Sequence, residues 1–364
     1  MITNEAVIAA LSQVEEPDLG KDLVTLNMIK DVAIDGKNVS FTVILTTPAC
    51  PLKEMIEKAC VNAIRLLVDK EAVVKVNMTS NVNSNRKDNK SILPGVRNII
   101  MVASGKGGVG KSTVSVNLAL GLAAEGASVG LLDADIYGPS IPMMLGMRDE
   151  RPKMTEIEGK GMIVPMERYG VKAMSIGLLI DEKQAVIWRG PMASSALKQF
   201  ISDVYWGELD YLIIDLPPGT GDVHLTMVQT VPVTGVVIVS TPQAVAAADA
   251  RKAIMMFKQP QINVPILGIV ENMAYFTPQE LSENKYYIFG KGGARKMAEQ
   301  FELPFLGEIP IVQSIREGGD SGIPAVVDDE PVSKAAFTEL AQSVARNVAM
   351  RNANIAPTSV VQMN

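Results

Sequence analysis

The sequence has 364 residues, a formal net charge of −6 and 47% hydrophobic residues, values that describe an ordinary globular protein. The length predicts one large α/β domain with a smaller unit, or two domains of similar size. The net charge is negative, no secretory leader is visible and no apolar run approaches roughly 18 residues, so we expect a cytoplasmic protein that binds neither nucleic acid nor membrane. Two cysteines are too few for a disulfide framework, so both are expected as thiols.

A polar stretch, NMTSNVNSNRKDNK at residues 77–90, has no apolar period and is typical of an exposed linker, which we place at residues 77–95. The preceding residues 1–76 predict a small α+β domain. Its predicted elements are a helix at 4–13, a hairpin-like pair of strands at 23–34 and 38–46, a helix from Pro51 and a strand at 72–76.

After the linker, short apolar runs alternate with helical stretches over residues 96–352. The runs are NIIMVAS, SVGLLDAD, YLIIDLPP, GVVIVSTP and ILGIVEN. Continuous Val, Ile and Leu runs separated by helices predict an α/β domain, with a mostly parallel sheet and helices on both faces. Residues 159–177 look like a hairpin inserted into that order, and the polar tail at residues 353–364 is expected to fray.

A phosphate-binding loop begins at Gly105, where GKGGVGKS fits the pattern G-x-x-x-x-G-K-S/T between an apolar strand and a helical run. Glycines let the backbone wrap round a polyphosphate with its N–H groups pointing inward. Lys111 would reach the β and γ phosphates of ATP, and the Ser112 hydroxyl would bind Mg²⁺. The residues predicted to hold the nucleotide are Gly105, Lys106, Gly107, Gly108, Val109, Gly110, Lys111, Ser112 and Thr113.

Aspartates stand at the carboxyl ends of two apolar runs, where ligands of such sheets bind. Asp215 is expected on the metal side, through a bound water, with Asp133 as a second metal-side candidate. Asp135 is placed where it could orient the attacking water. The alternative for Asp133 and Asp135 is capping of the turn before Gly138. Residues 215–222, DLPPGTGD, are expected to form a mobile segment that senses the γ-phosphate.

The strings KGGVGKST, DADIYGPS, LIIDLPPGTGD and ENM resemble the deviant P-loop ATPases of the MinD, ParA and nitrogenase-reductase group. TGDVHLTMVQ, WRGPM at residues 188–192 and the order of the domains are most similar to the Mrp/ApbC family of iron–sulfur cluster carriers. TTPACP in the small domain resembles SufT-type domains. The resemblance covers nearly the whole chain. It implies a nucleotide-gated homodimer that hydrolyses ATP and loads or transfers iron–sulfur clusters to client or scaffold proteins.

Two residue roles are implied by the resemblance. Lys106, the second lysine of the loop, would cross the dimer and touch the partner's ATP, as an arginine finger does. Without the resemblance, Lys106 reads as a solvated loop charge. Asn272 in ENM would contact adenine, although its position at the end of a buried strand fits a capping role equally well. His224, the only histidine, cannot build a metal site alone.

The family usually carries a CxxC pair shortly after ENM, where thiolates of two subunits hold a cluster, and this sequence has no cysteine there. A four-iron cluster ordinarily takes four thiolates. Cys50 precedes Pro51, a favoured first helical residue, so it is the candidate cluster thiol, with an inert turn residue as the alternative. Cys60 has apolar helical neighbours and is predicted to be buried. A cluster bridged between subunits, one completed by a client, or no cluster at all remain open.

The residues leave three other functions to compare with this one. A positioning ATPase acting on membranes or DNA would need a basic amphipathic anchor, whereas residues 341–364 contain two arginines and no lysine. A nucleotide-dependent scaffold that binds no cluster would explain the missing CxxC pair. A nucleotide kinase is disfavoured because no separate acceptor site or lid is visible. Lys106, Lys111, Asp135 and Asp215 together favour ATP hydrolysis, expected to be slow.

Overall fold

The computed structural model describes residues 2–86, 92–157, 159–179, 190–278, 281 and 284–361, with only the backbone of 190 and 191. The chain divides into two compact units. One comprises Met1–Asn83 with Ala349–Ile355, and the other comprises Ser84–Val348 with Ala356–Asn364. The first two residues of WRGPM, 188 and 189, and part of the predicted linker lie outside the described residues.

The first unit is a small α+β domain, as the sequence predicts. Its elements are α1 (Asn4–Leu11), β1 (Glu15–Glu16), β2 (Lys21–Asp22), β3 (Ile29–Asp35), β4 (Asn38–Leu45), α2 (Lys53–Leu67) and β5 (Val73–Ser80). The sheet order is β3-β4-β5, with β3 antiparallel and β5 parallel to β4. Alternate residues of β4, such as Val39, Phe41 and Val43, are buried, and they meet the apolar face of α2 at Ile56 and Ile64.

The second unit is the larger one and carries the phosphate loop. Its strands are β6 (Val96–Ser104), β7 (Val129–Asp133), β8 (Met154–Ile157), β9 (Lys160–Ile163), β10 (Met166–Arg168), β11 (Val171–Ser175), β12 (Leu209–Asp215), β13 (Gly235–Ser240), β14 (Ile266–Glu271) and β15 (Phe305–Glu308). Its helices are α3 (Lys111–Ala124), α4 (Ile141–Met144), α5 (Gly190–Asp203), α6 (Asp222–Thr230), α7 (Ala244–Phe257), α8 (Gly293–Phe301), α9 (Gln313–Ser321) and α10 (Pro331–Asn354), of which the last residues group with the first unit.

The main sheet has the order β10-β11-β7-β12-β6-β13-β14-β15 within the described residues. Every pair in it is parallel except β10 with β11. All residues of β7 and β13 are buried, because helices cover a parallel sheet on both faces. The prediction of a mostly parallel, helix-covered sheet from the apolar runs is therefore confirmed.

Strand register brings the predicted site residues to one edge of this sheet. Asp215 of β12 pairs with Asp133 of β7 and with Val102 of β6. β6 lies between β12 and β13, and the loop that follows it emerges beside both aspartates. The carboxyl edge of a parallel sheet, near a point where the strand order reverses, is the usual ligand position in such folds.

Several element boundaries differ from the sequence predictions. The helix predicted at 4–13 ends at Leu11, and the strand predicted at 23–34 begins only at Ile29, because residues 23–27 form hydrogen-bonded turns. Strand β5 continues to Ser80, so residues 77–80 of the predicted linker belong to the sheet, where they pair with β4 up to Leu45. Their polar side chains fit because most of them are exposed at this edge. Helix α2 begins at Lys53, two residues later than predicted, after a turn in which the Lys53 N–H donates to the Cys50 carbonyl. The predicted hairpin at 159–177 is two hairpins, β8–β9 and β10–β11, and β11 joins the main sheet.

The prediction that the tail frays is wrong for residues 356–361. The Thr358 N–H donates to the Asn85 carbonyl at 2.8 Å, and the Val361 N–H donates to the Val228 carbonyl at 3.0 Å. Thr358 is buried, and the Val361 side chain packs on the core of the second unit. The segment docks because backbone hydrogen bonds and one apolar side chain compensate for its polar composition. No described helix is long and apolar enough to span a membrane.

Candidate nucleotide-binding site

The phosphate loop, residues 105–110, joins the carboxyl end of β6 to α3. Gly108 and Gly110 have φ angles of 79° and 77°, a left-handed conformation that glycine adopts without strain. Within the described part of the chain, the N–H groups of Gly107, Gly108 and Gly110 donate no hydrogen bond to the protein. A Cβ on Gly108 would meet no atom within 4 Å. Unpaired N–H groups at an open helix N-terminus fit a phosphate.

The start of the loop is fixed by backbone contacts on both sides. The Ser104 carbonyl accepts from the Gly219 N–H at 2.9 Å, and the Ser104 hydroxyl donates to the Lys106 carbonyl at 3.0 Å. A Cβ on Gly105 would lie 2.0 Å from the carbonyl carbon of Asp249 in α7. The loop therefore requires glycine at 105 for its approach to α7, and it is hydrogen-bonded directly to residues 215–222, the segment predicted to sense the γ-phosphate.

The Asp215 carboxylate contacts three donor groups from the first two turns of α3. The Lys111 ammonium lies 2.8 Å from Asp215 Oδ1, the Ser112 hydroxyl donates to Oδ2 at 2.6 Å, and the Ser115 hydroxyl donates to Oδ1 at 2.5 Å. Asp215 is fully buried and Lys111 nearly so. A buried ion pair needs such additional hydrogen bonds to offset the desolvation of both charges. The structure thus brings together Lys111, Ser112 and Asp215, which the sequence predicts in one site.

Ser115 was missed by the sequence reasoning. It lies four residues after Lys111 on α3 and therefore on the same helix face, which is the signal that could have revealed it. Ser175 was missed as well. Its hydroxyl donates to Asp133 Oδ2 at 2.9 Å, and no local pattern connects the two residues, because they meet through the pairing of β11 with β7.

Asp133 is buried beside Asp215 and bonded to its own turn. Its carboxylate accepts from the Ser175 hydroxyl and from the N–H groups of Asp135 and Ile141. Burial, and then the neighbouring Asp215 carboxylate, raise the pKa of Asp133 to about 7. The turn-capping alternative is therefore observed for this residue, together with its position at the ligand edge.

Asp135 lies at the wall of a cavity of about 440 Å³ that is also lined by Tyr137, Pro218, Gly221 and His224. Its carboxylate accepts from the N–H of Gly138 at 3.3 Å, so it too caps the turn. Burial raises the pKa of Asp135, although the nearby Lys111 ammonium acts in the opposite direction. A half-buried carboxylate beside a cavity has room to bind a water molecule.

Lys106 is half-exposed in the loop. Among the residues that the structure describes, its ammonium makes no ion pair with a carboxylate. A lysine without an ion pair among the described residues can reach another molecule, so both interpretations of Lys106 are compatible with its position. Thr113, also predicted to contact the nucleotide, is the third residue of α3 and half-buried.

Asn272 follows β14 and turns its side chain towards the phosphate loop. Its amide donates to the Val109 carbonyl at 2.8 Å. The side chain is buried, with 5% of the residue exposed. The resemblance implies contact with adenine, whereas the observed contact is with the backbone of the loop itself.

The cysteines lie in the first unit. Cys50 is half-buried in the turn before α2, and Cys60 is buried inside that helix. Burial raises the pKa of the Cys60 thiol to about 12, so Cys60 is a core residue, as predicted. The described ranges contain no group of three or more His, Cys, Asp or Glu side chains arranged to hold a metal ion.

The residues present fit a nucleotide with Mg²⁺. Mg²⁺ takes oxygen ligands, is usually bound through one or two protein groups, and receives the remainder from phosphates and water. The Ser112 hydroxyl and the Asp215 carboxylate, which are hydrogen-bonded to each other beside the loop, offer oxygen atoms of this kind. The unpaired N–H groups of the loop and the Lys111 ammonium supply the positive side of the site for the phosphates.

Comparison with protein families agrees with this geometry. The sequence model of the NUBPL iron-transfer P-loop NTPase family matches residues 95–348. The chain belongs to this family. A second sequence model, of an iron–sulfur cluster assembly protein family, matches residues 4–78. The first match falls within the second unit of the structure and the second match within the first unit.

Curated relatives match along nearly the whole chain. An iron–sulfur cluster carrier protein of Synechocystis sp. is 49% identical over 352 residues, which is 96% of this chain and 99% of the relative. A protein of the same name from Escherichia coli is 42% identical over 341 residues, 93% of this chain and 90% of the relative. Among solved structures, a nucleotide-binding protein from Archaeoglobus fulgidus in complex with ADP is 41% identical, with a TM-score of 0.58, over 68% of this chain and 94% of its own.

Proposed function

We propose that this protein is an ATP-hydrolysing iron–sulfur cluster carrier that works in the cytoplasm as a homodimer and loads or transfers clusters to client proteins. The observation that carries the proposal is the convergence of Lys111, Ser112 and Asp215 at the mouth of the phosphate loop. The proposed cargo, an iron–sulfur cluster, rests on the names of the Synechocystis and Escherichia coli relatives, which are both iron–sulfur cluster carrier proteins.

In this proposal, binding begins with the backbone N–H groups of the loop, which take the phosphates of ATP. Lys111 shifts its ammonium from Asp215 towards the β and γ phosphates. Ser112 and Asp215 would hold Mg²⁺, Asp215 through a water, with Asp133 beside Asp215 as the second metal-side carboxyl group. The ion neutralises negative charge on the phosphates when bound.

Hydrolysis requires a positioned water and stabilisation of the charge that develops on the γ-phosphate. Asp135 orients the water from the wall of the neighbouring cavity. Lys106 reaches the ATP of the partner protomer, so hydrolysis depends on dimerisation. Residues 215–222 respond to the γ-phosphate, because the Gly219 N–H donates a hydrogen bond to the Ser104 carbonyl at the start of the loop.

The nucleotide site is tested with two lysine variants. Lys111→Ala should abolish Mg²⁺-dependent ATP hydrolysis, because the ammonium that the loop supplies to the β and γ phosphates is then lost. Lys106→Ala should bind ATP normally and hydrolyse it roughly a thousandfold more slowly, the order seen for a cation supplied in trans. Lys252→Ala, which removes an exposed lysine of α7, is the control and should hydrolyse ATP at the normal rate.

Co-expression of the two inactive variants, with separate tags, tests the trans arrangement. In a mixed dimer, the Lys106→Ala protomer keeps an intact phosphate loop and receives Lys106 from the Lys111→Ala protomer, so purified mixed dimers should regain measurable turnover. Mixed dimers as inactive as either parent would refute the trans role. Unchanged turnover in Lys111→Ala would refute the assigned nucleotide site.

The cargo is tested separately by anaerobic reconstitution with iron and sulfide. We expect iron–sulfur absorbance in the unmodified protein and its loss in Cys50→Ala, with Cys60→Ala as the control because the Cys60 thiol is buried. Iron retained per dimer, and its change on adding an apoprotein, distinguishes a cluster bridged between subunits from one completed by a client. Failure of the unmodified protein to retain iron would favour a nucleotide-dependent scaffold instead.

A further inference from the structure

Asn272 is held rigidly at the end of β14. Its N–H donates to the Ser240 carbonyl at 2.8 Å, at the end of the neighbouring strand β13. The preceding carboxylate, Glu271, accepts from the N–H groups of Gly292 and Ala294 at 3.1 and 2.5 Å and so fixes the start of α8. With its backbone anchored on both sides, the Asn272 amide is preorganised at the phosphate loop.

The amide and the loop fit each other closely. Asn272 Nδ2 donates to the Val109 carbonyl at 2.8 Å, and the Val109 side chain is buried. A Cβ built on the next residue, Gly110, would lie only 2.2 Å from the same Nδ2 atom. Gly110 has a φ angle of 77° and is the residue from which α3 starts. The hydrogen bond to the Val109 carbonyl and the lack of a side chain at Gly110 therefore fix the last turn of the loop against Asn272.

We propose that Asn272 is a positioning residue for the phosphate loop. Its amide holds the Val109 carbonyl away from the ligand, so that the N–H groups around Gly110 and the first turn of α3 face the phosphates. This inference rests on the proposed nucleotide site and concerns phosphate binding rather than recognition of the base. Contact with adenine is the competing role, and the two roles differ in which ligands they affect.

The experiment measures affinity by calorimetry, with Mg²⁺, for ATP, GTP and inorganic tripolyphosphate, which has no base. Asn272→Ala should weaken all three ligands by the same factor, about tenfold, the typical effect of losing one buried hydrogen bond. Asn272→Leu keeps the volume of the side chain but not the donor, and should weaken all three as well. Loss of affinity for ATP alone would overturn the proposal in favour of adenine recognition, and so would unchanged binding of tripolyphosphate.

Asn98→Ala is the matched control. Asn98 is also buried and its amide also donates to a backbone carbonyl, that of Asp210 at 3.2 Å, but it lies near the amino end of β6. It should lower the thermal unfolding midpoint while leaving tripolyphosphate affinity unchanged. An equal loss of affinity in Asn98→Ala would overturn the proposal, because any destabilised core would then have the same effect.

A double-mutant cycle tests the contact directly. Gly110→Ala should weaken tripolyphosphate binding strongly in the native background and distinctly less with Asn272→Ala, because the steric conflict with Nδ2 is removed. Additive effects would overturn the inferred contact. If the unmodified protein bound none of the three ligands, the nucleotide site itself would fail, an outcome visible before any variant is compared.

Discussion

His224 is buried near the phosphate loop without a hydrogen-bond partner for either ring nitrogen among the described residues. Only 1% of the residue is exposed, and its ring lies 6.3 Å from that of Phe257, measured between centroids. Burial lowers the pKa of His224 from 6.5 to about 4. The imidazole is therefore neutral at physiological pH, because protonating the buried ring is unfavourable in the folded protein.

This shift predicts an acid-dependent loss of stability. Between pH 6.5 and 4 the unfolded chain binds a proton at His224 and the native state does not, so the stabilisation present above pH 6.5 is lost as the pH falls towards 4. The loss is about 3 kcal/mol. Denaturant unfolding of the native protein and of His224→Gln from pH 8 to 4 should show their difference in unfolding free energy shrinking by that amount. A difference independent of pH would contradict the buried neutral imidazole.

The native protein is compared with His224→Gln because Asp133 changes the stability with pH in the opposite direction. Its pKa is raised from 3.8 to about 7, so between these values the native state keeps a proton that the unfolded chain has released. Stability from Asp133 is therefore greatest at low pH and falls as the pH rises. In the native protein both groups change the free energy of unfolding between about pH 4 and 6.5, in opposite directions. Subtracting the unfolding free energy of His224→Gln at each pH leaves the contribution of His224 alone.

At the scale of elements, the apolar runs predict five of the eight described strands of the main sheet, because those strands are apolar on both faces, whereas β15 is not predicted and β10 and β11 are predicted only as an inserted hairpin. The runs that include β6, β7, β12, β13 and β14 were each recognised. The end of β5 was missed, since an exposed edge strand can carry polar residues such as Asn77 and Thr79 without cost. The Asp133–Ser175 bond could not be predicted, because it depends on the order in which β7 and β11 pair.

The contact between the phosphate loop and α7 yields a prediction for Gly105. A Cβ there would lie 2.0 Å from the Asp249 carbonyl carbon and 2.3 Å from the Ala250 backbone nitrogen. Backbone cannot move aside as a flexible side chain can, so Gly105→Ala should destabilise the protein by about 2 kcal/mol or more. The matched control is Gly107→Ala, whose Cβ would meet only Pro218 at 3.9 Å. Denaturant midpoints of both variants check this, and equal midpoints would contradict the required close approach.

At the scale of the whole molecule, the two units have separate cores. The sequence placed their division in the polar stretch after residue 76, and the structure places it after Asn83. Composition located the division because a linker without apolar periodicity cannot contribute a core. It could not reveal that residues 356–361 return to the second unit, since backbone hydrogen bonds, the buried Thr358 and one valine hold a segment of polar composition.

The returning segment predicts that removal of residues 356–364 destabilises the second unit alone. Two backbone hydrogen bonds, from Thr358 and Val361, and the partial burial of Val361 would be lost, which amounts to about 3 kcal/mol. Tryptophan fluorescence reports on the second unit, because both tryptophans lie beyond residue 84. Labelling of the buried Cys60, in a Cys50→Ala background, reports on the first unit.

We expect truncation to lower the denaturant midpoint seen by fluorescence and to leave the midpoint for Cys60 labelling unchanged. Two point variants test whether the loss of stability comes from undocking of the segment rather than from the shortened chain. Val361→Asp places a charge against the core and should reproduce most of the loss, whereas Ser359→Asp alters an exposed residue of the same segment and should not. If truncation shifted both probes equally, the two units would unfold as one, and if Ser359→Asp matched Val361→Asp, the docked arrangement of the tail would be wrong.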